Sequence, residues 1–161
     1  MIYLTLLIST LLTFISCGPN NYTEESMLSE TQSIKSSDEL NYYVDKFKEY
    51  SVKRGRHIDM SGIVIGFTSK TLTSNAYSQG TIGRCYTASK VIVINKGKWS
   101  ELSNIEKESV VIHELGHCAM GLKHNEGHDV NQWPISIMYP SVDISYYYEQ
   151  NKDVYLDRLF E

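Results

Sequence analysis

His113, Glu114 and His117 stand at a spacing suited to gripping a metal ion. On a helix, a four-residue step returns to nearly the same face one turn on, so both imidazoles can hold one cation from a rigid support. Glu114, directly after the first His, flanks that face and reaches a metal-bound water instead of the metal. A plainer reading makes the two imidazoles hydrogen-bonded core groups and Glu114 a buried ion-pair partner. The surroundings weigh against it. Ser103 and Glu106 form a capping signal, and Ile105, Val110, Val111, Ile112, Leu115, Ala119 and Leu122 carry the helix onward. From Val110 to Leu122 it is apolar nearly all round, which marks a buried element. Charge is costly there unless it has work to do, so zinc is the better account of the polar residues.

The segment His113-Glu114-Leu115-Gly116-His117-Cys118-Ala119-Met120-Gly121-Leu122-Lys123-His124 resembles the extended zinc signature of metzincin metallopeptidases. In that family a Gly turns the chain so that a third His completes the site. The resemblance implies Gly121 for the turn and His124 for the third ligand, with one departure: three residues, not two, separate His117 from Gly121. His128 and Asp129 lie close enough in sequence to substitute for a ligand or to hydrogen-bond one. Ser136-Ile137-Met138-Tyr139-Pro140 is similar to the metzincin Met-turn, above all its matrixin form, which implies Met138 as an apolar floor beneath the metal. Tyr139 does not match the astacin position for a metal-contacting Tyr and is given a packing role.

These residues need elements to position them. Leu40, Tyr43, Val44, Phe47 and Tyr50 recur at helical spacing, so Asp38 to about Lys53 is expected to be an amphipathic helix, with Ser36 and Glu39 as its capping pair and Gly55 closing it. Ile63–Phe67 and Val91–Ile94 are short β-branched runs read as strands, and Ser78–Thr87 is a weaker third strand because of Gly80 and Gly83. Val91–Asn95 followed by Trp99 resembles the matrixin strand preceding the active-site helix. By the same resemblance, the segment from about Ser78 to Tyr86 is the edge strand along which a peptide adds antiparallel. A last helix is expected over about Lys152–Phe160, and Tyr146, Tyr147 and Tyr148 are read as core in preference to a pocket wall or an exposed aromatic patch. The implied fold is α+β and zincin-like: a small twisted mixed sheet on an N-terminal helix and a buried active-site helix, with a C-terminal helix.

Composition frames the rest. A chain of 161 residues with 42% hydrophobic residues fits one core. The net charge of −4 disfavours nucleic-acid binding, which needs a concentrated positive surface. Met1–Ser16 carries no charged side chain and is too short to span a bilayer, so it reads as a signal peptide. Phe14-Ile15-Ser16-Cys17-Gly18 resembles a bacterial lipobox, although Met1-Ile2-Tyr3 lacks the usual basic residue. Residues 17–37 then form a lipidated tether, and 38–161 the catalytic domain. Three Cys are present; lipidation of Cys17 leaves Cys85 and Cys118 as an even pair, either bridged or two separate buried thiols. The expectation is a monomeric, lipid-anchored zinc metalloendopeptidase of the bacterial cell envelope, on its periplasmic or extracellular face. His113, His117 and His124 would hold Zn2+, Glu114 would act as general base on a zinc-activated water, and the substrate would be a peptide or protein. The alternatives are a non-catalytic, zinc-stabilised binding lipoprotein, and a zinc hydrolase acting on envelope polymers.

Overall fold

A computed structural model describes residues 37–69, 71–72, 81–141 and 144–161. The segment expected to be a signal peptide and, but for Ser37, the expected lipidated tether lie outside the described residues, Cys17 and Ser36 included, as do residues 73–80. Helix α1 spans Asp38–Lys53, strand β1 Val64–Thr68, β2 Gly83–Tyr86 and β3 Val91–Asn95. After a single helical turn, α2 (Lys96–Trp99), come the long helix α3 (Asn104–Met120), α4 (Ile144–Gln150) and α5 (Lys152–Phe160). Among the described residues, no helix is long and apolar enough to cross a membrane.

The sheet has the order β1-β3-β2, with β1 parallel and β2 antiparallel to β3. The central strand is buried along its whole length, which is why Val91-Ile92-Val93-Ile94 shows no polar alternation. Ile92 and Ile94 face α1 and α3 in the main core, whereas Val91 and Val93 pack with Leu72 on the other face. Helix α1 lays Leu40, Tyr43, Phe47 and Tyr50 onto that main core, at the predicted spacing and within the predicted bounds. Its cap differs from expectation. Ser37, not Ser36, is the N-cap and makes no side-chain cap bond, so Glu39 is the second helical residue and not the third that a capping box needs; its carboxylate accepts instead from the Trp99 indole N–H at 2.8 Å and the Lys107 ammonium at 3.1 Å. Gly55 does close the helix, at φ +70°, its N–H donating to the Val52 carbonyl.

Helix α3 opens with the expected capping box. The Ser103 side chain accepts from the Glu106 N–H, and Glu106 accepts from the Ser103 N–H at 2.7 Å. It ends at Met120, two residues earlier than the apolar pattern suggested, because Gly121 takes a left-handed conformation (φ +67°) and turns the chain. A disulfide joins Cys85 on β2 to Cys118 on α3, with Cα atoms 5.6 Å apart. The tyrosine run forms α4, which the sequence reading left without an element. Tyr148 is fully buried and Tyr147 partly so, but Tyr146 points outward, 62% exposed, so it is surface and not core.

Candidate metal centre

Helix α3 presents His113 and His117 on one face, and the chain beyond Gly121 brings His124 back to meet them. The ligating atoms of the three side chains all lie within 4.8 Å of one another. His113 Nε2 is 3.1 Å from His117 Nε2 and 3.2 Å from His124 Nε2. The three residues between His117 and Gly121 are accommodated as helix before the turn, so the expanded spacing still returns His124 to the cluster. His124 is held from behind: the Asn125 N–H donates to the Met138 carbonyl at 3.0 Å, tying this loop to the 136–140 turn.

The other nitrogens of the two helical imidazoles fix their tautomers. His113 Nδ1 lies 2.9 Å from the Ile137 carbonyl oxygen, and His117 Nδ1 2.6 Å from that of Leu122. A carbonyl only accepts, so each Nδ1 carries the proton and each Nε2 is left with a lone pair. Two such lone pairs facing each other at 3.1 Å call for a cation between them. Zinc–nitrogen bonds of about 2.0–2.1 Å in tetrahedral array would set such nitrogens roughly 3.3–3.4 Å apart, so the donor set fits an ion of this kind with little rearrangement. Burial, the largest influence, and the two neighbouring imidazoles push His113 down to about 4, against the Ile137 hydrogen bond that raises it. The ring is therefore neutral at pH 7, the form that binds metal. Burial also lowers His124.

Met138 is 2% exposed and lies directly beneath α3. A Cβ built on Gly116 would fall 2.5 Å from its sulfur, so the glycine between the two His is what lets this side chain seat there. The same turn supplies the Ile137 carbonyl that orients His113. Glu114 points the other way from Met138, toward β2, and is 7% exposed. Burial pushes its carboxyl up to about 7, while a hydrogen bond from the Cys85 backbone N–H and the charge of Arg84 hold it down. A divalent cation nearby would act in the same direction as those two. Gly83 makes room for this carboxylate, since a Cβ there would lie 2.9 Å from Glu114 Cγ and 3.0 Å from Oε1.

His128 and Asp129 stand apart from the cluster. The His128 ring meets Tyr139 edge-on at 5.2 Å, and Asp129 turns its own loop by accepting from the Asn131 and Trp133 N–H groups at 2.8 and 3.0 Å. A cleft of about 620 Å3 opens onto the three His and Glu114, walled by β2 on one side and by Tyr139, Pro140 and Ser141 on the other. Sequence reasoning missed the Ile137 and Leu122 carbonyls and the Cys85 N–H, because backbone groups leave no signature in residue type. For Gly83 a signal existed, a glycine inside a strand pattern, which marks close approach by a neighbour.

Compared with models of known protein families, residues 31–156 match the one described as "Putative phage metallopeptidase". Neither the curated proteins nor the solved structures contain a match.

Proposed function

The chain belongs to this phage metallopeptidase family, and on that premise we propose that it is a zinc-dependent endopeptidase of metzincin type. The observation that carries the reading is the convergence of His113, His117 and His124, two of them fixed by carbonyls in the metal-binding tautomer, with the Glu114 carboxyl on the same helix opening into one cleft. When bound, zinc supplies Lewis-acid polarisation of the scissile carbonyl and brings a water's pKa toward about 7. The three imidazoles hold the ion. Glu114 accepts the proton of the attacking water and delivers it to the departing amine. Met138 sets the floor on which α3 rests.

β2 presents the substrate. The Asn95 N–H donates to the Ile82 carbonyl, and in the register Gly83↔Ile94, Cys85↔Ile92 this turns the backbone groups of Gly83 and Cys85 to the outer edge; the Cys85 N–H is taken there by Glu114, so a peptide would pair with the Gly83 groups and the Cys85 carbonyl. Among the described residues no strand covers that edge, and an extended peptide laid along it would cross the cleft. A sealed structural zinc site is less well supported, because among the described residues no fourth His, Cys or carboxylate joins the three imidazoles.

Purified chain incubated with an unbiased peptide library is expected to cleave, to stop when a chelator strips the metal, and to recover on adding one equivalent of zinc. Absence of any peptide cleavage by chain carrying one zinc would refute the reading, and turnover of cell-wall fragments alone would redirect it to envelope polymers. The same proposal places the protein on the bacterial envelope through a lipid on Cys17, with peptide or protein as its partner and the catalytic body a monomer. In cells fed a labelled fatty acid, the wild-type chain should take up label and Cys17→Ser should not. Equal labelling of the two would remove the anchor from the proposal.

A further inference from the structure

Residue 85 is joined to α3 twice. Its sulfur is bonded to Cys118, and its backbone N–H donates to the carboxylate of Glu114. Glu114 and Cys118 are four residues apart on α3, hence on one face. The covalent link and the hydrogen bond therefore run side by side from the same strip of helix to the same residue of β2. Gly83 closes the arrangement from the next outward-facing position, its backbone pressed against the Glu114 side chain. β2 has four residues and sits at the sheet's edge, where among the described residues β3 is its one strand partner. An edge strand this short frays easily, and each fraying event would withdraw the donor from Glu114.

We propose that the Cys85–Cys118 disulfide is a positioning device for Glu114: it clamps β2 to α3 so that the Cys85 N–H holds the carboxylate in one orientation beside the three imidazoles. The catalytic consequence rests on the peptidase reading above, whereas the positioning itself does not. Cys85 and Cys118 touch neither the metal nor the reacting atoms; they act through the strand.

The test compares zinc-loaded wild-type chain with the double variant Cys85→Ala/Cys118→Ala, using two readouts. The first is hydrogen exchange at the residue 85 amide, followed by NMR. It is expected to quicken at least tenfold in the double variant while the Ile92 and Ile94 amides of β3 keep their protection. Glu114→Ala with the disulfide intact should quicken the same amide, since the acceptor is gone. The second is kinetic: kcat is expected to fall at least tenfold, by more than KM rises, with one zinc still bound. Should the double variant fail to fold, wild-type chain is reduced instead with a trialkylphosphine, which does not compete for zinc as a dithiol would. In that step the S–S bond becomes two thiols, and the phosphine takes up the oxygen of a water as its oxide. The same selective changes are then expected, reversed on reoxidation.

An unchanged amide 85 in folded protein lacking the bond would overturn the proposal. So would exchange rising equally in β2 and β3, or activity falling only in proportion to unfolded protein. If oxidised, zinc-bound wild type cleaves nothing, the peptidase reading fails, and the exchange measurements still decide the positioning.

Discussion

Glu114→Ala is expected to bind one zinc per chain and to lose about 1,000-fold in kcat/KM on a peptide substrate, the middle of the range for removing a general acid–base. That corresponds to about 4 kcal/mol of transition-state stabilisation. Zinc is retained because the three imidazoles do not depend on the carboxylate: two are oriented by Ile137 and Leu122 and the third by a loop tied to Met138. Glu114→Gln separates the two roles open to this residue. The amide keeps the shape, and its carbonyl oxygen still accepts from the Cys85 N–H, but it takes no proton from water. A general base therefore predicts the same loss for Gln as for Ala. A buried packing residue predicts that Gln restores function. Thermal stability should not drop in the Gln variant, since an amide in that buried position replaces a group whose charged form is penalised there. Peptide turnover within tenfold of wild type by Glu114→Gln, in an assay silenced by chelator, would remove Glu114 as the base.

The sequence made the helices of this site legible because burial there is periodic. Leu40, Tyr43, Phe47 and Tyr50 marked α1, and Ser103 with Glu106 marked the start of α3, since both signals are written in side chains only a few residues apart. Counting left Cys85 and Cys118 as an even pair, open between a bridge and two buried thiols, and the structure joins them. His124 was legible through family resemblance, and its shifted spacing works because α3 continues for three residues past His117 before Gly121 breaks it. What stayed hidden involves backbone or distant partners. The Ile137 and Leu122 carbonyls orient the two imidazoles whatever side chains those positions carry. Ser36 and Glu39 read as a capping pair, whereas Ser37 is the N-cap and the Glu39 carboxylate pairs with Trp99 and Lys107, 60 and 68 residues away. Helix α4 was obscured because three consecutive tyrosines show no period, and only Ile144 with Tyr148 reveals the buried face.

Replacing Glu108 is expected to produce the largest stability effect. It is 8% exposed and gathers four helices. Its Oε1 accepts from the Tyr148 hydroxyl of α4 at 2.7 Å and the Tyr50 hydroxyl of α1 at 3.3 Å, and it pairs with the Lys152 ammonium of α5. That ammonium also lies over the Tyr50 and Tyr148 rings, at 4.8 and 5.6 Å. Burial and the hydrogen bond to Glu108 raise the Tyr148 hydroxyl well beyond the ordinary phenol range, so it stays a proton donor under all conditions of use. Glu108→Ala would strip the acceptor from a fully buried phenol and the counter-charge from a half-buried ammonium. Breaking a buried pair by removing one partner costs about 3–5 kcal/mol, a large share of the roughly 5–15 kcal/mol that holds such a domain together. The melting temperature should fall by about 10 °C or more. Glu108→Gln keeps an acceptor for Tyr148 and should lose less than Ala. Adding Lys152→Met to Glu108→Ala should recover part of the loss, because the charge left behind is removed with it. Folded Glu108→Ala at low temperature should retain zinc and wild-type kcat, as none of these groups reaches the metal centre. A melting temperature within about 2 °C of wild type would show that the cluster does not hold the helices together.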